Sequence, residues 1–325
     1  AVGDERPYLG RARAGRLVVR VVRGPDGRFD VPTAGGPPPR FKSVEVLDGM
    51  IYLVDEAAGT RRQVTSLRIT MRRIEDSEKV SLTAGGRLVL SDAEGRADTG
   101  VVSLNGLLDH FDLARFADIT GGCHLDWEGV NLAYLFPAMH QGGTALSASI
   151  AGQASVRIDS SDLVTFEGEV SAPLVQAGLV GGPPELDVER PSLSFTGTWH
   201  KGTGRAELRP VQISMAGSNL RLTGGLDRLP GGELAGRLDL SGTLSLTPLR
   251  RDIRALGRAL AGFESATGTV DIQAISVAVA RGVARMEAAV DLRRTQLVWH
   301  PWFDKPADET ALLTAAGRLD LDGGG

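Results

Sequence analysis

The sequence predicts a mainly β protein built on a long antiparallel sheet, and three observations carry that expectation. Runs with apolar residues at every second position recur at intervals of about 8–12 residues. Glycine is abundant, at 42 of 325 residues, and clusters between those runs. Only two or three stretches carry a helical period instead.

Taken in order, residues 1–40 read as an N-terminal strand (RLVVRVV, 16–22), a turn at Gly24-Pro25-Asp26-Gly27, and a Pro/Gly linker over 31–40. Residues 41–130 form a first β segment, 131–246 a second led by a short helix, and 247–325 a third led by a longer one. In the first segment Leu67, Ile69 and Met71 face one way while Arg68, Thr70 and Arg72 face the other. In the second, Val164, Phe166, Gly168 and Val170 share a face, as do Leu193, Phe195 and Trp199, and Val211, Ile213 and Met215. Leu220/Leu222, Leu238/Leu240 and Leu244/Leu246 continue the alternation, and Val270/Ile272 and Val290/Leu292 extend it through the third segment. Each run is apolar on one side and Arg, Asp, Glu, Ser or Thr on the other, the mark of a sheet wetted on one face.

The helices are short. Thr247 reads as an N-cap with Pro248 at the first helical position, and Leu249, Ile253, Leu256, Leu260 and Phe263 make one apolar stripe opposite Arg250, Arg251, Arg254 and Arg258. Asn131 reads as the cap of an earlier helix shortened by Pro137, and residues 111–118 as a third. Three such helices cannot cover about twenty strands, which at ~4.8 Å each would extend roughly 90 Å. The sheet must close into a barrel, split into a sandwich, or curl into a trough whose apolar face holds something else.

Two stretches resemble the AsmA-like family of bacterial envelope proteins. Arg23, Asp26, Gly27, Arg28 and Phe29 match a basic strand followed by a D-G-R turn. Val44, Val46, Asp48, Gly49, Ile51, Leu53 and Asp55 match an alternating strand with an internal Asp-Gly. The LSLTPL (244–249) and ATGTVDI (266–272) stretches are similar to a later section of the family. The resemblance implies a long antiparallel sheet curled into an apolar groove, a β-taco, related in design to bridge-like lipid-transfer proteins. It implies a periplasmic location, an inner-membrane anchor lying outside this sequence, phospholipid acyl chains as ligand, envelope proteins as partners, and a part in lipid transport or outer-membrane homeostasis. The groove lining would be the inward apolar residues named above, with 247–263 as a helix capping it. Both ends of the sequence read as cut from something longer.

Composition fits that expectation. A net charge of −4, with 36 basic and 40 acidic residues interspersed, gives no footprint for nucleic acid. The lone Cys123 rules out an intrachain disulfide and a four-cysteine zinc site. No apolar run reaches the roughly 18 residues of a membrane-spanning helix. His124, Asp126 and Glu128 alternate along one strand and, with His110 or Asp112, have metal-ligand types, but they read better as a solvated face opposite Cys123, Leu125 and Trp127. Trp199-His200 and Trp299-His300 are similar dipeptides, the second followed by Trp302 and Phe303 in a loop that reads equally as exposed or packed. Phosphate-loop, dinucleotide and hydrolase motifs are absent, so no catalytic residue, cofactor or metal is expected. The structural rival is a β-solenoid or sandwich stalk of adhesin type with a dry core.

Overall fold

The computed structural model describes residues 9–24, 29–30, 41–56, 60–74, 77–91, 97–110, 120–135, 144–159, 162–179, 182–228, 234–280 and 283–320. The linker at 31–40, the Asp26-Gly27-Arg28 turn, Asp112, Pro137 and the helix expected over 111–118 lie outside those residues. The chain is mainly β and divides into two units, residues 1–142 with 149–161 and residues 143–148 with 162–325. Among the described residues the helices are three short ones, and none is long and apolar enough to cross a membrane.

In the first unit β1 (Leu9–Ala14) and β2 (Leu17–Arg23) lie end to end along β4 (Phe41–Asp55). Both run parallel to it, with Ala12 opposite Val44 and Val19 opposite Ile51. β3 (Phe29–Asp30) turns back on the end of β2. The sheet is therefore mixed rather than wholly antiparallel. The chain turns back at β3 and enters β4 in the direction of β1, which alternation alone cannot signal. From β4 onward the meander is antiparallel through β5 (Thr60–Arg73), β6 (Val80–Ser91), β7 (Ala97–His110), β8 (Thr120–Asn131) and the later part of β9 (Thr144–Ile158). After β8, α1 (Leu132–Leu135) begins with the Asn131 side chain accepting from the Ala133 N–H at 3.0 Å.

Apart from a slip between Leu108 and His110, the register slips of this unit fall on one transverse line. The register slips between Val46 and Ile51, between Thr65 and Arg68, and between Trp127 and Val130, while Gly49 stands opposite Leu67 and Val102 stands between Gly86 and Trp127. Gly86 sits where backbones close in: a Cβ there would lie 2.8 Å from Val64 Cγ1 and 3.1 Å from Thr65 O. A bulge bends its strand and sharpens the local twist, so bulges in a row curve a sheet across its strands.

In the second unit every described strand register is antiparallel. β10 (Leu163–Ser171) pairs with β13 (Ser192–His200), and β11 (Leu174–Leu179) pairs with β12 (Pro184–Glu189) and the start of β9. β10–β11 and β12–β13 are thus two strands each broken at a proline, Pro173 and Pro191, where no backbone N–H is available for the ladder. Bonds from Ala172 N–H to Pro191 O and Arg190 N–H to Pro173 O hold the break. The meander continues through β14 (Arg205–Met215), β15 (Ser218–Arg228), β16 (Leu234–Ser245), β17 (Ser265–Ala280) and β18 (Val283–Asp291) to β21 (Leu312–Asp320). The start of β17 pairs instead with β19 (Thr295–Trp299), which pairs with β20 (Phe303–Lys305). Here too register slips recur from strand to strand, between Ser194 and Gly197, Leu208 and Val211, Leu240 and Gly242, and Ile272 and Ala274.

Between β16 and β17 the chain forms α2 (Leu246–Asp252) and α3 (Arg254–Ala259). One helix from Thr247 to Phe263 was the expectation; instead Ser245 is the N-cap and Ile253 breaks the helix. The Ser245 N–H donates to the fully buried Ser218 hydroxyl at 2.9 Å, and Ile253 adopts φ −118°, ψ 99° to bridge Leu186. Leu249 is buried, and Arg258 clamps α3 to β12 through two bonds to Glu185, at 3.0 and 2.7 Å.

Candidate functional site

Within each unit the strand registers place most of the residues expected to act together on one face of the sheet. In the second unit one row of directly opposed residues crosses eight strands: Val170, Leu193, Ile213, Leu220, Gly242, Ile272, Val290 and Leu313. The neighbouring row, one residue away, reads Ser171, Ser192, Ser214, Asn219, Thr243, Asp271, Asp291 and Leu312. Successive side chains on a strand point to opposite faces, so the first row lies on an apolar face and the second on a polar one. Further apolar rows are Val211–Leu222–Leu240–Ile275 and Leu244–Val270, with Val164 opposite Trp199 and Met215 opposite Ser218. Phe166 stands opposite Gly197 and its ring meets Phe195 at 6.3 Å between centroids.

The first unit repeats the pattern. Ala12, Val44, Met71, Leu82, Gly106, Cys123 and Val156 form one row; Arg13, Glu45, Thr70, Thr83, Asn105, His124 and Ser155 form the next. Ile69 lies opposite Val46 and Ala84 on the apolar side, and Leu67 is buried against Gly49. Burial raises the pKa of the Cys123 thiol.

Two expected members fall elsewhere. Leu246 is the first residue of α2, not a strand residue, because the chain turns into the helix as soon as Ser245 is tied to Ser218. Leu292 sits in the break between β18 and β19, its N–H given to Ala311 O, so the alternation ends at Val290. Several members of the face were not singled out from sequence, among them Leu82, Leu104, Ile150, Leu208 and Val277. Alternation in β6 was available as a signal, but paired glycines at 85–86 interrupt it.

The polar face carries ordinary surface chemistry. His124 bonds Ser155 Oγ at 3.0 Å and Asp126 Oδ1 at 3.1 Å, and Ser103 Oγ donates to Asp126 at 3.2 Å. Glu128 lies opposite Val101. Among the described residues no group of three or more His, Cys, Asp or Glu is placed to hold a metal ion. Bonds from the Ser276 hydroxyl and Arg237 hold the Asp239 carboxyl below its ordinary pKa. A cleft of about 590 Å³ opens beside α2, between Glu189-Arg190, the β14–β15 turn and Asp252, whose buried carboxylate accepts from Arg251 Nε at 2.6 Å.

Compared with known proteins, the chain matches no family model, no curated protein and no solved structure.

Proposed function

We propose that the apolar face lines a curled groove that holds phospholipid acyl chains, and that the chain is a non-enzymatic lipid-binding or lipid-transfer protein of the AsmA-like type. In this reading it works in the bacterial periplasm, tethered to the inner membrane by a segment outside this sequence. It serves lipid transport or outer-membrane homeostasis there, alongside envelope partners.

The observation that carries the reading is the eight-strand row from Val170 to Leu313, apolar but for Gly242, and backed on the other face by a row of hydroxyls, an amide and carboxylates that ends at Leu312. Its side chains are largely half-buried rather than sealed; Leu313 is 58% exposed and Trp199, on the same face, 43%. Each acyl methylene withdrawn from water is worth about 0.8 kcal/mol, so a continuous strip of Leu, Val and Ile retains a lipid tail without specific polar contacts. Lines of bulges provide the means of curling such a sheet. Headgroups would remain at the open edge, in water.

The test is native mass spectrometry with lipid extraction on protein purified in mild detergent and exchanged out of it. Phospholipid should co-purify, and should be lost when Phe166, Phe195 and Leu222 are changed to Asp in a variant that keeps its strand signal. A lipid-free mass from a stably folded wild type would sink the groove and leave the dry-core β stalk as the better account.

A further inference from the structure

Strand β21 is an open edge. Among the described residues it pairs only with β18, along all nine of its residues and with no slip in register. Residues 312–318 are exposed without a break, Leu312 at 55% and Leu313 at 58%, and a Cβ on Gly317 would meet nothing within 4 Å. An edge strand offers a row of backbone N–H and C=O groups to any strand that comes alongside. Proteins that keep such an edge to themselves blunt it with charge, proline, a bulge or shortness. β1 is blunted in that way: among the described residues it pairs only with β4, and two of its six residues are arginines, Arg11 and Arg13. From Leu312 to Gly317, β21 has no charged residue, no proline and no bulge.

Read backwards, the strand complements itself. Two copies related by a two-fold axis normal to the sheet pair antiparallel, and only residues an even number of positions apart can then stand opposite each other. Apolar face therefore meets apolar face. With Ala315 on the axis, Leu313 of one copy stands opposite Gly317 of the other, and Ala315 opposite its own counterpart. On the apolar face the largest side chain thus falls against the open space at the glycine, twice. On the polar face Thr314 stands opposite Ala316, and Leu312 opposite Arg318, whose aliphatic stem can lie along the leucine. The row that reads Asp271, Asp291 and Leu312 is then continued by Arg318 of the second copy, which sets a cation two strands from the Asp291 carboxylate.

We propose that β21 pairs with β21 of a second copy, antiparallel about Ala315, so that the second units of two chains share one sheet and the apolar face runs on from copy to copy. A second copy brings, on one strand and at the spacing this edge requires, both the leucine that covers Gly317 and the arginine that covers Leu312. The contact is isologous, so it consumes the β21 edge of each chain and stops at two. Residues 312–318 make a small interface, and the dimer is accordingly weak and concentration-dependent. The inference goes beyond the acyl-chain reading and stands without it, since backbone groups at the edge make the contact.

Sedimentation velocity of the full chain, from about 1 μM to about 1 mM, tests it. Wild type should pass from monomer to dimer over that range and form nothing larger. Ala315→Lys and Ala315→Glu each set a charge against its own counterpart within an apolar row, and each should weaken dimerisation by roughly tenfold or more. Their melting curves should match wild type, because residue 315 is exposed and its neighbour on β18 is Ala288. An equimolar mixture of the two variants should dimerise again, lysine opposite glutamate. A wild type that stays monomeric throughout overturns the proposal and gives the edge to a strand of a different protein. Assemblies larger than a dimer, single variants that associate as wild type does, or a mixture that associates no better than its components overturn it as well.

Discussion

Gly197 offers a sharp test of the face on which the functional reading depends. It sits on β13 directly opposite Phe166, whose ring lies over it. A Cβ at this position would fall 2.4 Å from Phe166 Cζ, 2.6 Å from Cε2 and 2.6 Å from the Glu207 carbonyl oxygen. Ordinary carbon contacts are about 3.5–4.0 Å, so Gly197→Ala demands a shift of about an ångström on two sides. The ring can swing; the carbonyl belongs to β14, in register with β13 at Thr198 opposite Glu207. Overpacking of this kind costs about 1–3 kcal/mol, or a fall in Tm of about 2–10 °C for a unit of this size. Without the clash the sign reverses, since alanine in a strand interior is favoured over glycine by roughly 0.5–1 kcal/mol. Thermal and urea unfolding read the difference. Phe166→Leu combined with Gly197→Ala should recover part of the loss, with a coupling of about 0.5–3 kcal/mol between the two sites. A single Gly197→Ala variant that melts at or above wild type would mean that Phe166 is not seated on Gly197, and would undo the apolar row built on that register.

Two further outcomes follow from the charged clamp and the thiol. Hydrogen bonds from Arg258 hold the Glu185 carboxyl below its ordinary pKa, so the clamp on α3 is complete above the unfolded carboxylate value, near 4.3, and weakens as pH falls through the lower folded one. Protection factors over residues 254–260, taken relative to the intrinsic exchange rate at each pH, should fall in acid in wild type and already be low at neutral pH in Glu185→Gln; equal protection in both proteins at pH 7 would show that the ion pair does not hold the helix. Cys123 lies on the apolar face between Gly106 and Val156, with its thiol pKa raised by burial. Its alkylation at pH 8 should therefore run slower than that of a free cysteine, and slower again with phospholipid present; a rate indifferent to phospholipid counts against acyl chains on the first unit's face.

The rows were legible where alternation ran unbroken, and lost where the backbone departed from it. Leu220/Leu222 and Leu238/Leu240 kept their phase because each lies inside one ladder segment, and Leu193/Phe195 did so along β10, although the ladder to β14 slips just after Ser194. Leu246 misled because a strand that continues and a helix that begins look alike for one residue; what decides is the bond from Ser245 to Ser218, 27 positions earlier. The parallel edge was invisible for a different reason. Pairing Leu17 with Gly49 fixes a direction between strands distant in sequence, and period-2 patterning is the same for either direction. In β7, Val101 and Leu107 are apolar on the polar side, which blurs the contrast that marks Val102, Leu104 and Leu108. The loop 300–306 reads equally as exposed or packed from sequence, since the pairing of Trp299 with Phe303 across it is not signalled by any local pattern.

The choice between a dry stalk and a lipid groove turns on what completes the apolar face. A dry core withdraws its largest side chains fully, because only close packing on all sides recovers their dispersion contacts. Among the described residues the largest side chains wholly removed from water are Leu90, Thr295 and Ser218, and two of those three are hydroxyl residues that secure a strand break and a helix start. Phe166, Phe195, Leu222, Leu238 and Leu240 remain only part-covered. A side chain left half in water forfeits about half of its transfer free energy, on the order of 1 kcal/mol for a leucine, repeated along every row. In the proposed reading, the partner that regains this on each unit is apolar, extended and indifferent to side-chain detail. An acyl chain has those properties; a folded protein surface, shaped to one fixed relief, does not.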